Sequence, residues 1–427
     1  MTGGPTLAPR HLTIVLATTG AFDSRTYRLA RDMAARGHRV TVYARAASAV
    51  IAGSADSSGP ANALADLHGV SYIALPVNRG ALVPRWLRGP AGALGKLAAR
   101  LLPRELSRIA GVVLDVAAQG RAVAAVAEPA DIWHAMGMLA LPVALGLRRR
   151  HGGCVVYDSL EIYIEARNLA RLPGLFRGVV ARWELGQARQ ADILVTVNEV
   201  CRRMLRRRFG RDLVVVYNCP DLPASPIPRG RLIHDRLGLD AATRVVLYHG
   251  GISPGRGIEQ LIDAIEDVPD AVLAVMGYGE GEAALRARLA AEPTRRVHVL
   301  PAVRPTDVLA WVASADVAAM PIQPSTRNHR VATPNKLFEA MAAGVPVLAS
   351  DMLGMRPIVL EAGCGALVDP RDTEAIAAGL RQLLAASPAE REAMGERGRI
   401  AIRDRFGWAR QAALLIAAYA KTTDVQW

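Results

Sequence analysis

Short apolar runs with the character of β-strands alternate with longer helical patterns from one end of the chain to the other. The predicted strands of the first half are residues 11–17, 39–43, 131–134, 154–157, 193–197 and 213–217. Those of the second half are residues 244–249, 271–276, 297–300, 317–321 and 345–349. This alternation is typical of parallel sheets covered by helices on both faces, so it predicts a doubly wound α/β fold.

The chain of 427 residues is longer than a single hydrophobic core usually supports, so we expect two domains. A segment with prolines at 223, 226 and 228 interrupts the alternation and indicates a linker at residues 221–231. We predict one Rossmann-like domain over residues 1–220 and a second over residues 232–405. Residues 406–427 are predicted to form a helix that packs back toward the first domain.

Composition and charge argue against several classes of protein. Hydrophobic residues make up 51% of the chain and charged residues 21%, as in folded globular proteins. The net charge is +13, but aromatic residues are only 5% and no basic run is interleaved with them, so nucleic acid is not an expected partner. The four cysteines form no CxxC pair, which argues against a zinc site or a disulfide framework.

The sequence also predicts a compartment. Residues 1–10 hold no signal pattern, and no apolar run reaches the roughly 18 to 20 residues of a membrane-spanning helix. We therefore expect a cytoplasmic protein. The basic region 82–126 combines arginines with apolar residues, which predicts either peripheral contact with the inner face of a membrane or a lid over a ligand. A solvated helix face explains the same pattern equally well.

A glycine-rich turn follows the predicted strand 244–249, in the sequence VVLYHGGISPGRGIEQLIDA. Backbone N–H groups at the start of the next helix would hold an anion. Gly250 and Gly251 allow close approach of a ligand, and Ser253 can cap the turn. Arg256 adds a fixed positive charge. Because the GxGxxG spacing and the P-loop Lys-Ser/Thr are missing, the turn favours a nucleoside diphosphate over a dinucleotide or ATP.

A second candidate site lies in TPNKLFEAMAAGVP, residues 333–346. Pro334 precedes a helix on which Lys336 and Glu339 are three residues apart and therefore share a face. A carboxylate in this place can accept hydrogen bonds from both ribose hydroxyls, while the lysine can meet phosphate or sugar oxygens. A surface ion pair between the two side chains is the alternative.

The two motifs together resemble the family 4 glycosyltransferases of the two-domain GT-B fold. In the first half, FDSRTYRLARDMAARGHRVTVYA, DIWHAMGMLA and VVYDSLEIY are similar to successive strand ends of that family, and the resemblance extends over nearly the whole chain. It implies two doubly wound, Rossmann-like domains that face each other across a cleft. The first would bind an acceptor and the second a nucleotide sugar.

The resemblance also implies roles for single residues in donor binding. Glu339 corresponds to the second glutamate of the family's Glu-x7-Glu motif, which holds the ribose, and Arg256 corresponds to the basic residue that meets the diphosphate. The sequence MGYGEGE, with Gly277 and Gly279, resembles the glycine loop beside the sugar. The remaining donor-binding candidates come from three segments. They are Gly250, Gly251 and Ser253 in the glycine-rich turn, Ala302 and Val303 in the base-binding turn, and Thr333, Pro334, Asn335, Lys336 and Leu337 at the start of the second motif.

Three positions depart from the family pattern. Val331 stands where the first glutamate of Glu-x7-Glu would be, and Gly251 stands where many members carry a second diphosphate-binding arginine. Lys336 is a candidate to replace that arginine. Leu160 stands where the related pattern YDSHELY has a histidine.

The departure at Leu160 leaves His134 and Glu161 as polar candidates for catalysis in the first domain. A histidine at a strand end is as readily a satisfied structural residue. Asp23, after the first strand, is a further catalytic candidate, since ligands of open α/β sheets gather at strand ends. Capping of the next helix is its alternative role.

The resemblance implies a retaining, metal-independent sugar transfer from a UDP- or GDP-type donor to a small-molecule, glycolipid or polysaccharide-precursor acceptor. Arg256 and Lys336 would stabilise the charge on the leaving diphosphate. No cofactor is expected besides the donor substrate. A nucleotide-sugar epimerase on the same fold and a non-catalytic sugar-nucleotide binding protein are the alternatives.

Overall fold

The chain forms two compact units, which the computed structural model describes over residues 10–20, 23–46, 63–78, 104–166 and 169–423. The first unit comprises Met1–Val197, Arg202–Val216 and Ala412–Trp427. The second comprises Asn198–Cys201 and Tyr217–Gln411. The predicted linker 221–231 therefore lies inside the second unit, and the predicted segment 406–427 is divided between the units.

The position of the boundary has a physical reason. Tyr217 packs edge-on against Phe338 and Phe406, with ring centroids 5.7 and 5.1 Å away. Leu222 and Ile227 also lie against the same core. The irregular segment before helix α6 (Leu232–Leu237) is thus held by packing within the second unit rather than spanning freely.

The first unit is built on a parallel sheet whose strands lie in the order β3-β2-β1-β4-β5-β6-β7. Helices α1 to α5 follow its strands, and most of helix α15 completes the unit. The strands are β1 (His11–Leu16), β2 (Arg39–Arg45), β3 (Val70–Leu75), β4 (Ile132–Met136), β5 (Cys154–Ser159), β6 (Ile193–Thr196) and β7 (Val214–Val215). The helices are α1 (Ser24–Ala35), α2 (Arg104–Val126), α3 (Leu141–His151), α4 (Gly174–Ala188), α5 (Glu199–Phe209) and α15 (Trp408–Thr423).

The second unit repeats this architecture with strands in the order β10-β9-β8-β11-β12-β13. Its strands are β8 (Arg244–Gly251), β9 (Ala271–Tyr278), β10 (Val297–Pro301), β11 (Val317–Met320), β12 (Val347–Ser350) and β13 (Gly365–Val368). After α6 its helices are α7 (Ile258–Ile265), α8 (Glu282–Ala291), α9 (Val308–Val312), α10 (Arg327–Val331), α11 (Asn335–Ala343), α12 (Arg356–Ala362), α13 (Thr373–Ala385) and α14 (Pro388–Ala401). The predicted two-domain, doubly wound α/β class is confirmed.

Two strands at sheet edges, β3 and β13, were not predicted from the sequence. β3 is only half-buried, and polar Ser71 interrupts its apolar residues. β13 has only four residues, with a glycine at its start. The central strands β1 and β5 are almost entirely buried, which gives them the continuous apolar runs by which they were predicted.

The basic region 82–126 is described only from Arg104 onward, as helix α2. The membrane contact or lid predicted for residues 82–103 falls outside the described residues. Among the helices of the described part of the chain, none combines the length and apolar character that a membrane crossing requires.

A buried ion pair joins α1 to β5 in the first unit. Arg25 Nε lies 2.7 Å from Asp158 Oδ2, Nη2 lies 3.1 Å from Oδ1, and Nη1 donates to the Val216 carbonyl oxygen. His134 Nε2 lies 3.3 Å from Asp158 Oδ2, and its Nδ1 lies 2.6 Å from Tyr419 Oη. Burial alone would raise the pKa of Asp158, but Arg25 and His134 outweigh it and hold that pKa below its usual value.

We predict that Asp158→Asn lowers the free energy of unfolding by about 3 to 5 kcal/mol, because Arg25 then stays buried without a counter-charge. Denaturant titration followed by circular dichroism measures the loss. Asp212→Asn is the control, since Asp212 pairs with Arg202 at a side chain that is 60% exposed. It should cost at most about 1 kcal/mol. Equal losses in the two variants would contradict the anchoring role of Asp158.

Candidate functional site

The glycine-rich turn lies where the strand order of the second sheet reverses. β8 and β11 are neighbours, but the chain continues from β8 to β9 on one side and from β11 to β12 on the other. Ligands of open α/β sheets bind at such a switch point, beyond the carboxyl ends of the strands. Because β8 ends at Gly251, topology alone marks this turn as the candidate site.

Several glycines here are required by close contacts between backbones. Gly250 pairs with Gly277 across β8 and β9, and a side chain at 277 would overlap the Gly250 carbonyl oxygen. A side chain at Gly279 would overlap the backbone of the turn in the same way. Gly257, with φ of +79°, leaves no room for a Cβ beside the Pro321 carbonyl oxygen. These glycines therefore place the turn, whether or not they also touch a ligand.

Lys336, in the first turn of α11, buries its ammonium group without a hydrogen-bond partner among the described residues. The residue is 7% exposed. Its Nζ lies 3.5 Å from the centre of the Tyr248 ring. Burial, and then the positive charge of Arg256, hold the pKa of Lys336 well below its usual value, while Glu339 opposes them. The predicted surface ion pair between Lys336 and Glu339 is thus not what the structure shows.

Arg256 is the second cation of the turn. Its Nε lies 3.4 Å from Ser253 Oγ, and its main-chain N–H donates to the Ser253 carbonyl oxygen at 3.3 Å. Ser253 therefore orders the arginine from both its side chain and its backbone. The positive charge of Arg256 contributes to the lowered pKa of Lys336, and a shared role of the two in binding a diphosphate stays a prediction.

Glu339 is held by His249, the last residue of β8 before the two glycines. The His249 Nε2 lies 3.0 Å from Glu339 Oε2. His249 is buried, and the Glu339 side chain is 18% exposed. The sequence analysis did not single out His249 or Tyr248. Their signal was their position at the carboxyl end of a central strand, directly before Gly250.

The residues before α11 form a turn fixed by side chains. Thr333 Oγ1 donates to the Gly354 carbonyl oxygen and accepts from Asn198 Nδ2, both at 3.0 Å. Pro334 is extended and precedes the first helical residue, Asn335, whose Oδ1 accepts from Asn218 Nδ2 at 3.0 Å. These contacts give the helix start one defined position.

Leu337, a predicted donor-binding position, and Val331, which departs from the family pattern, are both buried. Leu337 is fully buried in the hydrophobic core, and its N–H donates to the Pro334 carbonyl oxygen at 3.0 Å. Leu337 therefore has neither a side chain nor an N–H free for the donor in this arrangement. Val331 is also buried, and its carbonyl oxygen accepts from Asn198 Nδ2 at 2.8 Å.

The other donor candidates lie at strand ends of the same sheet. Gly251 is exposed, and its carbonyl oxygen accepts a hydrogen bond from Tyr248 Oη at 2.6 Å. Ala302 and Val303 follow β10 and are half-buried, with Val303 packed against the core. Contact of these residues with a base stays a prediction.

In the first unit, His134 belongs to the buried ion-pair network. The residue is fully buried, and both ring nitrogens are engaged, by Tyr419 and by Asp158. These contacts fit the structural role given as its alternative, and a catalytic role for His134 stays a prediction. Arg25, Asp158 and Tyr419 were missed because partners so distant in the chain leave no local pattern.

Asp23 and Glu161 have different surroundings. Asp23 caps α1: its Oδ1 accepts from the Thr26 N–H at 3.0 Å and its Oδ2 from Thr26 Oγ1 at 2.8 Å. This is the capping role given as the alternative. Glu161 follows β5, is half-buried, and accepts a hydrogen bond from Ser159 Oγ through its main-chain oxygen. A catalytic role for its carboxylate stays a prediction.

No cluster of three or more His, Cys, Asp or Glu side chains suited to a metal ion occurs within the described residues. The groups of the second unit that suit an anionic ligand are the side chains of Lys336 and Arg256.

Solved structures similar to this chain show its fold. Sucrose-phosphate synthase from Thermosynechococcus elongatus aligns with a TM-score of 0.72 at 18% identity, over 96% of this chain and 98% of that one. Anabaena HepE in complex with UDP-glucose aligns with a TM-score of 0.68 at 18% identity, over 97% of this chain and 99% of that one. The fold of the chain is GT-B.

Curated relatives match about half of the chain. The D-inositol 3-phosphate glycosyltransferase of Xylanimonas cellulosilytica is 31% identical over 55% of this chain and 58% of its own length. A GDP-mannose-dependent alpha-(1-6)-phosphatidylinositol monomannoside mannosyltransferase of Mycolicibacterium smegmatis is 30% identical over 53% of this chain and 61% of its own length. The chain thus spans little more than half the length of these relatives.

Two family models match consecutive parts of the chain. Glycosyltransferase Family 4 matches residues 24–222. Glycosyl transferases group 1 matches residues 231–401. These residues include the glycine-rich turn and all of α11. Between them the two matches account for most of the sequence, so the chain belongs to the family 4 glycosyltransferases.

Proposed function

We propose that this chain transfers a sugar from a nucleoside-diphosphate sugar to an acceptor, and that Lys336 and Arg256 bind the diphosphate. The observation that carries the proposal is the buried amino group of Lys336, which has no hydrogen-bond partner among the described residues and lies beside the turn after β8. The charged form of Lys336 is costly there in the free protein, because it is buried without a counter-charge and Arg256 repels it. A bound diphosphate removes both costs and stabilises the charged form.

Lys336 also suits the role of the arginine that is missing at Gly251. A Cβ built on Gly250 would lie 3.6 Å from Lys336 Nζ, so the ammonium stands directly over the turn. It reaches this place from α11 rather than from the turn itself. Under this proposal the charge missing at Gly251 is supplied from another part of the chain.

Glu339 is proposed to hold the donor ribose. Its carboxylate can accept hydrogen bonds from sugar hydroxyls, and His249 restricts its orientation through Oε2. Since Lys336 and Glu339 share one face of α11, a nucleotide lying along this face would meet the lysine with its phosphates and the glutamate with its ribose.

The proposed reaction breaks the bond between the anomeric carbon and the diphosphate oxygen, and the electron pair stays on that oxygen. Lys336 and Arg256 stabilise the growing negative charge. The acceptor hydroxyl, or another nucleophile, attacks from the face that the diphosphate leaves, so configuration is retained. The leaving phosphate accepts the acceptor's proton.

Donor and acceptor classes follow from the relatives' names and are proposals for this chain. UDP- and GDP-sugars are the donors to test first, because one relative depends on GDP-mannose and a fold neighbour is in complex with UDP-glucose. Inositol phosphates and phosphatidylinositol glycosides lead the acceptor panel. An epimerase would convert the donor without any acceptor, and a binding protein would leave it unchanged. A cytoplasmic location stays a prediction.

We predict that Glu339→Gln weakens donor binding about tenfold or more, because a lost charged hydrogen bond costs about 1.5 to 3 kcal/mol. Isothermal titration with UDP, GDP and their sugars measures the change. Glu374→Gln is the matched control, since Glu374 is an exposed glutamate of α13. Lost turnover with unchanged nucleotide affinity would assign Glu339 a catalytic role instead.

We predict that nucleotide affinity falls as pH rises from neutrality toward 10.5, the usual pKa of lysine. The lowered pKa leaves Lys336 neutral in the free protein over part of this range, so binding must take up a proton. Affinity then declines by up to about tenfold per pH unit. The phosphates of the ligand add no dependence there, because their last pKa is about 6. Any ionisation of the base affects the wild type and Lys336→Arg alike, so the comparison of the two isolates the lysine.

Titration calorimetry in two buffers of different ionisation enthalpy counts that proton directly. Lys336→Arg should bind without proton uptake, because arginine stays charged throughout. A wild-type protein that takes up no proton at any pH in this range would contradict the neutral state of free Lys336.

We predict that turnover is unaffected by EDTA, because Lys336 and Arg256 supply the positive charge that the leaving diphosphate requires. Product formation with and without the chelator measures this. Activity lost on chelation and restored by Mg²⁺ or Mn²⁺ would show that the two side chains are insufficient.

A further inference from the structure

Helix α4 turns an apolar stripe toward solvent. Leu175, Val179 and Trp183 are 76%, 57% and 38% exposed. Their spacing of four residues places them in one line along the helix. Surface helices normally direct such a stripe toward the core, whereas α4 exposes this one and turns Glu184 and Ala188, its buried residues, inward.

A carboxylate on the opposite face of α4 fixes the outward direction of the stripe. Glu184 is fully buried; its Oε1 accepts from Tyr157 Oη at 2.6 Å, and its Oε2 lies 2.6 Å from Arg208 Nη2. Burial raises the pKa of Glu184, and Arg208 and Tyr157 counteract this rise. Turning the stripe inward would withdraw Glu184 from both partners. The outward direction of the apolar residues is therefore built into the unit.

The surroundings of the stripe are positively charged. Arg171 precedes α4, Arg182 lies beside Trp183, and Arg189 follows the last helical residue. All three are exposed, and none forms an ion pair with a described residue. The only acidic residue of α4 is the buried Glu184. The exposed surface of the helix is thus apolar in its centre and positive at its margin.

We propose that this surface, the α4 face (Leu175, Val179, Trp183, Arg171, Arg182 and Arg189), docks on an anionic lipid bilayer. Apolar side chains of a surface helix insert at the boundary of headgroups and acyl chains, where tryptophan is favoured, and flanking arginines pair with anionic headgroups. A second copy of the chain fits less well, since a symmetric contact would bring the same unpaired arginines together. The proposal stands independently of the sugar transfer.

Vesicle flotation of the full chain tests the α4 face. The vesicles are phosphatidylcholine alone, and equal parts of phosphatidylcholine and phosphatidylglycerol. One variant combines Leu175→Gln, Val179→Gln and Trp183→Gln, and another combines Arg171→Gln, Arg182→Gln and Arg189→Gln. Matched controls remove exposed residues of the second unit: Leu353→Gln with Leu360→Gln, and Arg236→Gln with Arg295→Gln and Arg410→Gln.

The wild type is expected to float with the mixed vesicles and to bind phosphatidylcholine alone much more weakly. The apolar variant should lose at least about tenfold in partition. The arginine variant should lose about fivefold for each arginine, while both controls bind as the wild type does. Unchanged circular dichroism spectra and unfolding midpoints would show that the variants remain folded, including the first unit to which α4 belongs.

Several outcomes would overturn the proposal. An apolar variant that floats like the wild type would exclude the stripe, and an arginine control that loses as much as the arginine variant would reduce the effect to net charge. A wild type that binds no vesicle, but whose dimer in gel filtration is lost in the apolar variant, would assign the face to a second copy of the chain.

Discussion

The contact between two backbones at Gly250 and Gly277 is the constraint on which the site of the second unit depends. Because neither residue has a side chain, β8 can pair with β9 up to its last residue, Gly251, where the turn begins. Alternate residues of a strand share a face, so the space over Gly250 adjoins the ring of Tyr248. Lys336 occupies that space, in contact with both. A side chain at Gly277 would overlap the Gly250 carbonyl oxygen, and one at Gly250 would be strained by the φ of +107°.

The buried network around Asp158 and the buried amino group of Lys336 differ in how well their polar atoms are satisfied. Arg25, Asp158, His134 and Tyr419 form a closed network in which each charged group has a partner. Such a network makes the local structure rigid, because its hydrogen-bonding groups are satisfied by one another. The Nζ of Lys336 lies over an aromatic ring and has no acceptor in the part of the chain that the structure describes. This contrast, rather than burial itself, makes Lys336 the stronger candidate for binding a ligand.

The sequence was sufficient for the architecture and for the two motifs of the second unit, because both depend on local patterns. Central strands show as apolar runs, and the glycine turn and the start of α11 carry their own residue signatures. Edge strands such as β3 lack the continuous run. Contacts between distant residues were not accessible either: nothing near His134 shows that Tyr419 engages it, and nothing near Glu339 shows that His249 does. The outward direction of the apolar stripe of α4 depends on the contacts of Glu184 with Tyr157 and Arg208, so it could not be predicted from the local sequence either.

The first unit is discontinuous, and this has a consequence for how the chain is completed on the ribosome. Domains usually fold in the order in which they are synthesised. Here the second unit is finished once Gln411 has been made, since its other segment, Asn198–Cys201, precedes it. The first unit still lacks Ala412–Trp427 at that moment, and His134 waits for Tyr419, which lies 285 residues farther along the chain. The first unit can therefore complete its native contacts only after Tyr419 has been made, although most of its residues are translated before those of the second unit.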